Sequence, residues 1–188
     1  MDNTLAGTRY PTGSIRVRNV VSVSTLGRKL DLHKLSTLIP EASYNPKKLN
    51  AVIIRLPNPK VTCMIFSTGS MTSAGGSSIF VNWTGARKCI DKVQRHEPVA
   101  HHSYKVVNMV ASCNMGYPID LKKLRMEYQP NAVYEPELFA GLTLRLSDPK
   151  VTAVIFHNGK FQIVGTKTHS QVHNAYIRLL TILRHYMH

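Results

Sequence analysis

The chain has 188 residues, 43% of them hydrophobic, and carries 24 Lys and Arg against 10 Asp and Glu, a formal net charge of +14. That length holds one sizeable core or two small domains, and that apolar content excludes a disordered tail. An excess of positive charge on this scale favours a polyanionic partner, most often nucleic acid; with no basic low-complexity tail, the charge belongs to the folded domain. No apolar run approaches the roughly 20 residues that cross a bilayer. The opening "MDNTLAGTRYPTGS" lacks the charged start and apolar core of a signal peptide, so neither membrane contact nor secretion is expected.

Residues 1–13 read as a short N-terminal extension. An alternating strand is expected over 15–23, then a short helix around Leu30–Leu38, then three strands near 50–57, 60–67 and 70–74. The turn sequences "LPNP" and "STGS" join these strands, and a longer amphipathic helix closes the stretch by about residue 98. After the short polar joint "HEPVAHHS" the order begins again, with a strand over 104–112, a short helix over Asp120–Glu127, and a meander with turns "LSDP" and "HNGK". On the last helix Val172, Ala175, Tyr176, Leu179, Ile182, Leu183 and Tyr186 recur at three- and four-residue spacing, the mark of one buried stripe.

The recurrence is a sequence repeat. "NPKVTCMIF" from Asn58 returns as "DPKVTAVIF" from Asp148, an offset of 90, while "VRNVVSVSTLGRKLDLHKL" (17–35) returns as "VVNMVASCNMGYPIDLKKL" (106–124), an offset of 89. One residue is therefore inserted between these blocks in the second copy. Copy one spans 14–98 and copy two 104–188, together one pseudo-symmetric domain. A duplicated surface suits a partner with its own approximate twofold symmetry, and duplex DNA is such a partner; a duplicated fold with no functional meaning in its symmetry is the plainer alternative.

Residues two apart on a strand share a face. This groups Asn19 with Val21, Met64 with Phe66 and Thr72 with Ala74, and in copy two Asn108 with Val110, Val154 with Phe156 and Gln162 with Val164. If the helices cover one sheet face, the other is bare, largely apolar, with one Asn per half. Arg55, Lys60, Arg145 and Lys150 at strand ends and turns would fence it. An apolar floor inside a cationic fence fits the minor groove, where sugar edges and unstacked bases meet apolar side chains and phosphates meet Lys and Arg. The alternative for Phe66 and Phe156 is ordinary core packing.

The segments "YNPKKLNAVIIRLPNPKVTCMIFSTG" and "YEPELFAGLTLRLSDPKVTAVIFHNGK" resemble the core domain of the TATA-box-binding protein family, and the likeness covers about residues 14–188. The resemblance implies an α+β saddle, two pseudo-symmetric repeats forming one curved ten-stranded antiparallel sheet with four helices on its convex face and DNA on the concave one. It implies central asparagines at Asn19 and Asn108, with valines Val21 and Val110 beside them. Wedge phenylalanines fall at Phe66, Phe139 and Phe156, with Leu49 at the fourth position. Phosphate contacts fall at Arg55, Lys60, Arg145 and Lys150. In the stirrup "YEPELF", Glu135, Glu137 and Leu138 would meet a transcription factor IIB-like protein. "ARK" at 86–88, which holds Arg87 and Lys88, resembles with Lys92 and Arg95 the basic helix that meets a transcription factor IIA-like protein. The implied function is that of a nuclear promoter-binding initiation factor serving an RNA polymerase machinery, with no catalysis and no cofactor.

Six positions on the open face depart from the family pattern. Ala74 and Val164 replace the usual Thr, and Thr72 and Gln162 replace the usual Val. Met64 and Val154 replace a Leu. These changes, with Leu49, support a second reading, a related assembly factor with weak or altered TATA recognition that acts through protein partners. Catalytic motifs are absent: there is no phosphate-binding glycine loop, no GxSxG and no HExxH. The three cysteines Cys63, Cys89 and Cys113 are widely spaced and read as packed, reduced thiols. His169 and His173, four apart, have no obvious third ligand, and no metal site is expected.

Overall fold

The computed structural model describes residues 13–187; residues 1–12, most of the expected N-terminal extension, and His188 lie outside them. In chain order the elements are β1 Arg16–Thr25, α1 Leu32–Leu38, β2 Ala42–Asn45, β3 Leu49–Leu56, β4 Val61–Phe66, β5 Ser70–Gly75 and α2 Ile79–Gln94. Then follow β6 Ser103–Asn114, α3 Leu121–Glu127, β7 Ala132–Val133, β8 Gly141–Ser147, β9 Lys150–Phe156, β10 Lys160–Thr166 and α4 His169–Leu183, ending in a 3₁₀ turn at Arg184–Tyr186. The fold class is α+β: a ten-stranded sheet in the order β2-β3-β4-β5-β1-β6-β10-β9-β8-β7, with four helices. The chain divides into two compact units, 17–109 and, among the described residues, 110–187 with 13–16.

The same local chemistry builds both units. Asp31 Oδ1 accepts from Lys34 N at the start of α1, and Asp120 Oδ1 from Lys123 N at the start of α3, each at 3.0 Å. The short helices therefore begin one residue after their aspartates, not at Leu30 or Asp120. Ser78 caps α2 through Val81 N, and Thr168 caps α4 through Gln171 N, each at 3.1 Å. A cap of this kind is worth roughly 0.5–2 kcal/mol. The β4–β5 and β9–β10 turns close on Gly69 and Gly159, with φ of 85° and 81°. A Cβ on either would meet the backbone oxygen of Arg28 at 2.0 Å or of Tyr117 at 2.3 Å, so only glycine fits both the left-handed turn and the close approach.

The structure also locates the inserted residue. In copy one three positions carry the chain from Ile39 to Ala42, which pairs with Ile54; in copy two four carry it from the equivalent Tyr128 to Ala132, which pairs with Leu144. The offset changes from 89 to 90 in the turn between α3 and β7. The edge strands β2 and β7 have only four and two residues, too few to set up a readable alternation, and the pattern along the chain did not reveal them.

Each unit has its own core. In the first, Val61, Cys63, Ile65 and Met71 of the sheet meet Ala86, Cys89, Ile90 and Val93 of α2, with Leu32 and Leu35 of α1 alongside. In the second, Val151, Ala153, Ile155, Phe161 and Ile163 meet Ala175, Leu179 and Leu183 of α4. A fully buried side chain of this size contributes roughly 1.5–3 kcal/mol. Because these sheet residues point to the helices, the intervening ones must point the other way.

Candidate nucleic-acid interface

Strand alternation leaves one sheet face of each unit without helices. Along β4, Val61, Cys63 and Ile65 are buried while Thr62, Met64 and Phe66 are half-buried; along β9, Val151, Ala153 and Ile155 alternate likewise with Thr152, Val154 and Phe156. Antiparallel register assembles the open row. In the first unit Val21 lies opposite Ala74, Thr62 opposite Ala74, and Met64 opposite Thr72. In the second Val154 lies opposite Gln162, and Thr152 opposite Val164. Asn19 and Val21 on β1, and Asn108 and Val110 on β6, are half-buried on strands whose alternate residues are buried. Gln162 is exposed. The alternation also places Val23, Thr62, Thr143 and Thr152 on these faces. The sequence reading did not name them, although each is two residues from one that it did.

The side chain of Asn19 is oriented by the backbone. Its Oδ1 accepts from Gly75 N at 2.8 Å, which fixes the oxygen end of the amide and leaves Nδ2 as its donor end. Gly75 is held on its other side as well: its carbonyl accepts from Asn82 Nδ2 at 3.0 Å. Its φ is 114°, and a Cβ would stand 2.6 Å from the backbone oxygen of Lys60, so the position requires glycine. Asn82, wholly buried on α2, is the centre of a polar cluster invisible to the sequence reading. Its Oδ1 accepts from Ser22 Oγ at 2.7 Å, Tyr104 OH at 2.8 Å and Ser73 Oγ at 3.1 Å, and its Nδ2 also donates to Val20 O at 2.9 Å. Burial pushes the Tyr104 hydroxyl above its usual range. The cluster fixes α2 to β1 and β5, the strands that carry Asn19, Thr72 and Ala74.

The apolar ends of the row differ between the units. In the second, Phe139 is 51% exposed and its ring meets that of Phe156 edge to face, with centroids 5.9 Å apart. Both rings lie against Gly141, where a Cβ would reach Phe139 at 2.6 Å. In the first, Phe66 is half-buried at the end of β4, and Leu49, 39% exposed, starts β3. The four fence cations Arg55, Lys60, Arg145 and Lys150 are all exposed. Arg55 reaches Ser43 Oγ at 3.4 Å, a long and weak hydrogen bond.

The expected partner residues fall on two surfaces. Glu135, Glu137 and Leu138 are exposed in the loop after β7, and Leu138 is 82% exposed. This loop is ordered by its own backbone, since Leu138 N and Phe139 N both donate to Glu135 O, at 3.0 and 2.9 Å. On α2, Arg87 and Lys88 are exposed, as is Arg95 at its end. Arg87 pairs with Asp91 at 3.2 Å, and Lys88 Nζ donates to Asn58 O at 3.1 Å. Lys92 is half-buried and held by Glu41 at 2.7 Å, which lowers the Glu41 pKa. Of the four cations, Lys92 is therefore the most committed within the chain.

Cys63, Cys89 and Cys113 are buried free thiols. The hydrogen bond between Cys63 and Cys89, together with burial, raises the Cys63 pKa well above the usual thiol range. His169 and His173 are exposed on α4. Among the described residues no three His, Cys, Asp or Glu side chains gather in a way that would hold a metal ion, and no helix is long and apolar enough to cross a membrane.

Two like units, each a helix-backed antiparallel sheet with one bare face, define a duplicated α+β module. The family described as Transcription factor TFIID (or TATA-binding protein, TBP) matches residues 14–96 and 103–186, one match per copy. The chain is 35% identical over 188 residues to the TATA-box-binding protein of Acanthamoeba castellanii, covering 99% of this chain and 73% of that one. It is 36% identical over 181 residues to TATA-box-binding protein 2 of Arabidopsis thaliana, covering 95% and 90%. To the human TATA box-binding protein-like 2 it is 38% identical over 170 residues, 90% of this chain and 50% of that one. The solved TBP of Methanococcus jannaschii superposes with a TM-score of 0.80 at 29% identity, covering 91% of this chain and 98% of that one. The chain belongs to the TATA-binding protein family, a family of DNA-binding transcription factors and not of enzymes.

Proposed function

We propose that repeats 14–98 and 104–188 each lay their open sheet face on one half of a promoter site in the DNA minor groove, and that the protein bends the duplex and nucleates transcription initiation in the nucleus. The observation that carries this reading is the pair of half-exposed apolar rows, with Asn19 and Asn108 on their central strands and Arg55, Lys60, Arg145 and Lys150 exposed at their edges. A·T pairs present only acceptors in the minor groove, so the Nδ2 donor of Asn19, whose Oδ1 is held by Gly75 N, suits them. Val21, Met64, Val110 and Val154 supply the apolar floor. Phe66, Phe139 and Phe156, with Leu49 in the fourth place, enter base steps as wedges. In the same reading Glu135, Glu137 and Leu138 receive a transcription factor IIB-like protein, and Arg87, Lys88, Lys92 and Arg95 a transcription factor IIA-like one.

Gel-shift titration of TATA and scrambled duplexes across a salt series tests this. Preference for TATA is expected, with a log–log salt slope of about −3.6 or steeper, from four phosphates at about −0.9 each. A flat salt dependence would remove the cationic fence. Glu135→Arg is expected to abolish the ternary complex with a factor-IIB-like protein and leave DNA binding intact; an undiminished ternary complex rejects that role. A second reading is supported by Leu49, Ala74, Val164, Thr72 and Gln162, which remove an aromatic and move polarity along the row: an assembly factor whose partner contacts outweigh its TATA recognition. Equal affinity for the two duplexes, with partner recruitment retained, selects it.

A further inference from the structure

α2 buries Asn82, Gly85, Ala86, Cys89, Ile90 and Val93 against its sheet and shows solvent the opposite stripe, on which Phe80, Trp83 and Arg87 follow at i, i+3 and i+7. Phe80 is 72% exposed and Trp83 42%, and their rings stack with centroids 6.4 Å apart. Nothing in the packing of the repeat calls for them. α4, capped at the equivalent Thr168, carries Ser170 and His173 at the matching positions, both exposed. The stripe also faces away from the open sheet row, because α2 covers the other face of β4 and β5. DNA on that row leaves it uncovered.

We propose that Phe80 and Trp83 anchor an amphipathic helical segment of a partner protein that presents aliphatic side chains to the ring pair and carboxylates to Arg87 and Lys88. Exposed Trp with a neighbouring Arg is the composition of an interface hot spot, and a stacked pair on a helix holds its shape before binding, so little ordering entropy is lost. Charge selects the partner's sign. Arg87, Lys88 and Lys92 on α2 stand against Asp91 alone, on a chain of net charge +14. A second copy of this chain would bring like charge to the same place, which disfavours self-association there. This extends the partner-facing reading of α2 towards its N-terminus and rests on that reading.

Trp83 is the chain's single tryptophan, so its fluorescence reports this site alone. The probe is a synthetic helical peptide with Leu along one face and Glu along the other, titrated into the full chain beside versions with Leu→Ser and Glu→Lys. The Leu/Glu peptide is expected to shift Trp83 emission to the blue, and Phe80→Ser, which copies Ser170, to weaken binding about tenfold or more. Absence of a shift up to about 1 mM peptide overturns the proposal. So does equal binding of either control peptide, or a peptide-free shift that grows with protein concentration and marks self-association. Lys92→Ala with Arg95→Ala separates the two readings. Binding that survives this change but needs Phe80 supports the aromatic anchor while the basic-helix assignment fails; binding that needs the cations but not Phe80 overturns the anchor. A duplex gel shift on the same variants reports the DNA reading independently.

Discussion

The two units solve one packing problem in opposite ways. Where the first places Ser22, Ser73 and Asn82 between sheet and helix, the second has Ala111, Ile163 and Val172, all buried. One joint is polar and directional, the other apolar. Among the described residues no buried side-chain nitrogen or oxygen lacks a hydrogen bond, so the polar joint is satisfied and specifies one seating of α2. An apolar joint tolerates small slips; five hydrogen bonds of 2.7–3.1 Å converging on one amide do not. The strands of the first unit that face outward with Asn19, Thr72 and Ala74 are thus tied to α2 by hydrogen bonds that Ala111, Ile163 and Val172 cannot make at the matching positions.

The largest effect expected from this contrast comes from Asn82→Val. It removes the shared partner of Ser22, Ser73 and Tyr104 and should cost roughly 2–4 kcal/mol of stability, measured by urea denaturation. Adding Ser22→Ala, Ser73→Ile and Tyr104→Phe, which takes away the stranded polar groups, should recover at least half of that loss. A quadruple variant no better than the single one would mean that polar satisfaction is not what holds the joint.

The second contrast lies at the ends of the open rows. Phe139 and Phe156 support each other edge to face, whereas Phe66 has Leu49 in the place of a second ring. Phe156→Ala should therefore reduce DNA bending and affinity more than Phe66→Ala, with a loss of about 1–3 kcal/mol per stacked base. Energy transfer across an end-labelled duplex measures the bend. Leu49→Phe should sharpen the first unit's kink and strengthen binding by about 1 kcal/mol or less. Equal losses from the two alanine variants, and no gain from Leu49→Phe, would make the two ends equivalent.

A smaller effect is expected from the second unit at alkaline pH. Burial, with Cys113 alongside, pushes the Tyr176 hydroxyl up to about 12, and that hydroxyl donates to Gly13 O at 2.7 Å. A raised folded pKa favours the protonated phenol, so this stabilisation is complete below the ordinary value of 10.0 and is lost as pH rises through about 12. Tyr176→Phe should lessen the fall in stability between those two values, and thermal melts across that range check it. The effect is small because Tyr176 is only partly buried and solvent screens it.

Much of this was legible from the chain. Period-two alternation located the open face, because a sheet covered on one side must alternate, and the repeat gave two independent readings of the same strands. The edge strands were not legible, because a two-residue strand carries no period. Nor was the Asn82 cluster, since a single Asn on a helix looks like a solvated residue. Its signal was comparative: Asn82 lies on the stripe of Ala86, Cys89 and Val93, and the matching position in the other copy is Val172. Phe80 and Trp83 carried a similar signal, aromatic residues on the face where an ordinary helix is polar.

The extra residue between α3 and β7 amounts to an engineering trial already run on this scaffold. The copies differ in the length of that connection, while the aspartate caps that start the two helices and the register of the first two edge-strand pairs are the same. The connection feeds a two-residue edge strand, so added length there displaces almost no sheet pairing. Residues 129–131 are thus the natural place to graft a reporter peptide or a fluorophore attachment site. The β8–β9 pairing, which carries part of the second unit's open row, does not depend on that connection, so a label there leaves those strands in register.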